Sequence, residues 1–92
     1  MVYWITDEGV DRLTELIDKY TLTEDTMSEG LARQQRLLEI LEYMGEGSTG
    51  GHTFEQVVEV LRGQRFPIEG TDKQWKKALD SLVRNGYVEE SS

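Results

Sequence analysis

Lys73, Lys77, Asp80 and Arg84 recur at helical spacing in a protein that has only four lysines. At roughly 100° per residue, they fall opposite an apolar stripe made by Trp75, Ala78, Leu79, Leu82 and Val83. Lys76 and Ser81 flank the same outer face, and Gln74 lies near its start. Cations on a rigid helical face suit phosphates, and short polar side chains beside them suit base edges. Asp80 would repel phosphate, although a carboxylate can also accept from cytosine N4. The blander reading is a solvated surface helix, which describes most faces of this kind.

The other residues with chemical potential are few. His52 is the only histidine and there is no cysteine. Disulfides, zinc–thiolate sites and thiol nucleophiles are therefore excluded. A lone histidine just before a helix cap is expected to be structural or solvated rather than a ligand or a base. The glycine-containing run from Gly45 to Thr53 superficially resembles a phosphate-binding loop. It fails, because Gly51 stands where the lysine belongs and a helix rather than a strand precedes it. No catalytic residues, metal ligands or cofactor site are expected.

Charge is unevenly distributed along the 92 residues, whose net charge is −8. Residues 1–32 carry eight acids and two bases, and residues 33–61 five acids and two bases. Residues 62–86 reverse this, with six bases and three acids, and the last six residues add two acids. A local basic patch on an acidic body is compatible with directed binding to an anion. The same acidity also aids solubility and suits a salty interior. No apolar run approaches membrane-spanning length and no signal peptide is evident, so a cytoplasmic protein is expected.

The elements that must position these residues follow from capping signals and periodicity. Val2–Ile5 is a short β-prone run. Thr6 caps a helix over 6–20, with Val10, Leu13, Leu16, Ile17 and Tyr20 on one face. Thr26 and Glu29 form a capping-box pattern before a helix over 29–45, with Leu37, Ile40, Leu41 and Met44 as its clearest stripe. Thr53 and Gln56 repeat that pattern for a helix over 53–63, whose Phe54, Val57, Val58 and Leu61 share a face. Phe66 and Ile68 are expected to tuck the 64–70 connection onto the core. Thr71 and Gln74 then cap the helix over 71–86, so Gln74 has a structural use as well as a binding one. Asn85-Gly86 ends that helix and Tyr87-Val88-Glu89 begins a strand.

This order resembles the winged-helix family of helix-turn-helix domains. The resemblance is carried by Leu37-Leu38-Glu39-Ile40-Leu41 and by Lys76-Lys77-Ala78-Leu79-Asp80-Ser81-Leu82-Val83-Arg84-Asn85-Gly86-Tyr87-Val88-Glu89. It implies a mostly α fold with a small antiparallel sheet, in one domain over 1–92. The core and wing strand would occupy 29–90, with an extra strand and helix in 1–25. The 64–70 connection is longer than a simple helix-turn-helix turn, and few residues remain for a second wing strand. Tyr3-Trp4-Ile5-Thr6-Asp7-Glu8-Gly9 looks like the segment that leaves the wing, so Val2–Ile5 is expected to pair with Tyr87–Glu89.

The resemblance implies double-stranded DNA as partner, transcriptional regulation as role, and helix 71–86 as recognition helix. Lys73, Lys77 and Arg84 would meet phosphates or bases, Gln74, Lys76 and Ser81 would be secondary, and Arg62 and Arg65 would reach flanking phosphates. Such regulators often dimerise through a helix outside the core, which nominates helix 6–20. A different class is carried beside this one: a winged-helix protein-interaction module in a larger assembly, favoured by the acidity and Asp80.

Overall fold

The computed structural model describes residues 1–22, 28–45, 51–65 and 68–91. They form four helices and a two-stranded antiparallel sheet, in the order β1 (Val2–Ile5), α1 (Asp7–Leu22), α2 (Glu29–Gly45), α3 (Phe54–Arg62), α4 (Asp72–Arg84), β2 (Val88–Ser91). The fold is therefore mostly helical with a small antiparallel sheet, as expected.

The helix boundaries are set by side chains that satisfy the first free N–H groups. Thr53 and Thr71 each head a complete capping box, with Gln56 and Gln74 returning the bond. The expected Thr26–Glu29 box involves Thr26, which lies outside the described residues; within them, the Ser28 hydroxyl accepts from the Leu31 N–H at 3.2 Å. Ser28 immediately precedes Glu29, so it satisfies the first turn directly. At the far end of α4, Tyr87 N–H bonds Leu82 O at 3.0 Å and Gly86 N–H bonds Val83 O at 3.1 Å. This is a Schellman ending, and Gly86 supplies its left-handed residue at φ 81°.

The two ends of the chain meet in the sheet. Val2 pairs with Ser91, Tyr3 with Glu90, Trp4 with Glu89 and Ile5 with Val88. The second strand thus runs over 88–91 rather than 87–89, because the Schellman ending occupies Tyr87. Tyr87 still contributes its carbonyl, which accepts from Thr6 N–H at 3.1 Å. Tyr3 also exchanges two backbone hydrogen bonds with His52, both 2.8 Å. β1 therefore lies between β2 and the residue that leads into α3. The His52 ring bonds the Met44 carbonyl at 3.1 Å, which gives this histidine the structural place expected of it.

The core draws on every element. Leu37, Leu38, Ile40 and Leu41 of α2 are buried against Val57 and Leu61 of α3 and Trp75, Leu79 and Leu82 of α4. Tyr3 and Val88 close it from the sheet and Leu13 and Leu16 from α1. Ile68 packs on this core, and Phe66 lies outside the described residues.

The α1 stripe needs correcting on one point. Leu13 and Leu16 are buried in the core, and Ile17 is the exposed member at 40%. The stripe is wide because α1 packs on α2 with one edge of it. Leu13→Glu is therefore expected to abolish cooperative melting, since an unpaired buried carboxylate costs several kcal/mol. Loss of the thermal transition in circular dichroism is the check.

Candidate nucleic-acid interface

Helix α4 presents its outer face because its inner face is consumed by the core. Trp75, Ala78, Leu79 and Leu82 are all buried. Lys73, Lys77 and Arg84, half a helical turn away, are exposed. None of the three makes an ion pair among the described residues. The carboxylates of the same helix are engaged. Asp72 pairs with Arg62 at 3.0 Å and Asp80 with Lys76 at 2.9 Å. The fixed negative charge on α4 is thus locally neutralised, while its three outward cations are not.

The remaining predicted residues separate into those that stay available and those that do not. Gln74 commits its side-chain oxygen to the Thr71 N–H at 2.9 Å. Gln74 also borders a groove between α2 and α4, as does half-buried Ser81. Arg62 is tied to Asp72 in an exposed pair, worth little and easily exchanged. Arg65 is exposed just beyond α3, away from the Lys73–Arg84 row in sequence. Lys76 is the clearest departure. Its ammonium donates to the Tyr3 hydroxyl at 2.7 Å and to Asp80 at 2.9 Å. Lys76 fastens α4 to β1 and is less free for an external anion than sequence spacing implies.

The hydrogen bond to the Tyr3 hydroxyl, then that to Asp80, hold Lys76 above its ordinary pKa of 10.5, with burial opposing more weakly. A raised folded value means that this contribution is complete below 10.5 and is lost as pH climbs through the folded pKa. Tyr3→Phe removes the larger cause. It is expected to cost about 0.5–1 kcal/mol at neutral pH, at the low end because the Lys76 side chain is 42% exposed. The melting difference from wild type should narrow above pH 10.5.

One groove residue escaped the sequence reading. Arg33, in the first half of α2, lines the groove beside Lys77 and Gln74. Its guanidinium donates to the Glu69 carbonyl at 3.3 Å. No periodic signal marks Arg33, because its position beside α4 arises from helix–helix packing. Among the described residues no cluster of His, Asp or Glu has the makings of a metal site. No helix among them is long and apolar enough to cross a membrane. No family model, curated protein or solved structure matches this chain.

Proposed function

We propose that this protein binds double-stranded DNA as a small winged-helix regulator of transcription, with α4 as its recognition helix. In this reading α2, α3 and α4 are the three-helix core, and the β1–β2 pair is a rearranged wing whose last strand, β1, is supplied by Val2–Ile5. The observation that carries it is the row of exposed cations, Lys73, Lys77 and Arg84, which make no ion pair among the described residues of an otherwise acidic protein. A cation with no internal partner pays little to meet a phosphate, and each contact releases counterions.

A mobility-shift titration with random duplex tests this. Three phosphate contacts predict a slope of log K against log[salt] of about −2.7, or about a 40-fold loss of affinity between about 50 and 200 mM salt. A wild type that fails to shift duplex at the lower salt refutes the reading.

The protein-interaction reading has one observation in its favour. Tyr43 is 74% exposed beside a groove lined by Ile40 and Val60. Absent duplex binding, that face becomes the leading surface. Self-association through α1, the arrangement that dimeric regulators use, rests on Ile17. Ile17→Glu is expected to leave melting within about 0.5 kcal/mol and to convert an α1 dimer to monomer in sedimentation. A wild type already monomeric at high concentration refutes the dimer.

A further inference from the structure

The groove between α2 and α4 is lined by Gly30, Arg33, Gln34, Gln74, Lys77 and Ser81, with Ala78 at its base. It holds two cations and no carboxylate. In a protein of net charge −8 that is unusual. The groove at the start of α4, which shares Arg33 and Gln74 with the α2–α4 groove, contains Glu29 and Glu69, that between α2 and α3 contains Glu39, and that between α3 and α4 contains Glu55, Glu59 and Asp72. Of these four, the α2–α4 groove alone is lined by cations without an opposing acid.

We propose that the phosphodiester backbone of one DNA strand runs along the α2–α4 groove, contacted by Arg33 from one wall and Lys77 from the other. This rests on the duplex-binding reading and deepens it, by stating on which flank of α4 the strand lies. Arg33 is oriented by the Glu69 carbonyl through a single N–H, which leaves its other donors for an anion. Gln74 has its oxygen occupied by Thr71, so what it offers the groove is its amide donors. The opposite flank of α4 is less suited to a phosphate. There Lys76 is held by Tyr3, and the Asp80 carboxylate stands beside it.

Gly30→Glu and Arg33→Gln provide the test. A Cβ on Gly30 meets nothing within 4 Å, and an acid in the first turn of α2 is favoured by the helix dipole. Gly30→Glu should therefore melt no lower than wild type, while placing a carboxylate on the groove wall. Each variant is expected to weaken random-duplex binding about 3- to 10-fold, and Arg33→Gln to reduce the salt slope by about one. Melting curves and a poly-glutamate probe are measured alongside. If both variants bind duplex with wild-type affinity and slope, while reversing Lys77 and Arg84 abolishes binding, the groove assignment falls and the α4 reading stands. A wild type silent toward duplex overturns both. Variants that keep duplex affinity but lose poly-glutamate binding assign the groove to an acidic protein segment and overturn the proposal.

Discussion

Gly9→Ala is expected to lower stability by about 3 kcal/mol or more, and the melting temperature by at least about 12 °C. Gly9 is buried in the first turn of α1, where a Cβ would lie 2.1 Å from the Tyr87 carbonyl oxygen and 2.7 Å from Ile5. The first of these is backbone, and it is not free to move. Tyr87 O accepts from Thr6 N–H, and the Thr6 hydroxyl donates to Gly86 O at 2.7 Å. Seating a methyl there means parting α1 from the turn that joins α4 to β2, with the sheet attached. For a domain of this size the loss is a large part of total stability. Gly30→Ala should act oppositely. Its site is open, so replacing glycine within a helix adds a few tenths to about 1 kcal/mol. Thermal melts of the two variants check the pair. If Gly9→Ala melts with wild type, the junction of β1 and α1 does not sit on Tyr87.

The second large effect concerns binding. Lys77→Glu combined with Arg84→Glu is expected to abolish duplex binding at low salt while the protein stays folded. Both side chains are exposed, and surface changes usually move stability by about 0.5 kcal/mol or less. Glu at position 84 adds a modest penalty of about 0.3–1 kcal/mol, because it places an acid at the C-terminus of α4. Against this, two of three phosphate contacts become repulsions, which removes most of the electrostatic attraction to the duplex. Asp80→Asn should act the other way and raise non-specific affinity several-fold. It removes a carboxylate from the face and also takes one of two partners from Lys76. Salt-resolved mobility shifts and melting curves separate the two effects. A charge-reversed protein that binds as well as wild type would place the DNA surface elsewhere.

Local sequence determined the helices of this protein and the outward face of α4. The Thr53–Gln56 and Thr71–Gln74 boxes are local chemistry, complete within four residues, and both form as the spacing predicts. The stripe of Trp75, Ala78, Leu79 and Leu82 specifies what is buried, so it also specifies that Lys73, Lys77 and Arg84 point away. Residue type marked Val2–Ile5 as β-prone, and its pairing with the last strand was expected only from the resemblance of residues 3–9 to a segment leaving a wing; the register was not expected, because the Schellman turn at Gly86 shifts the strand to Val88–Ser91. Tertiary structure alone decided the rest. Only packing reveals that Leu13 belongs to the core while Ile17, four residues on, faces outward. Tyr3 and Lys76 are 73 residues apart in sequence and 2.7 Å apart in space, and Arg33 reaches the α4 groove only because α2 crosses beside it. Caps and periodicity act over one or two helical turns, and a sequence displays them directly. Which side chains from distant elements meet depends on how those elements dock, which no local pattern encodes.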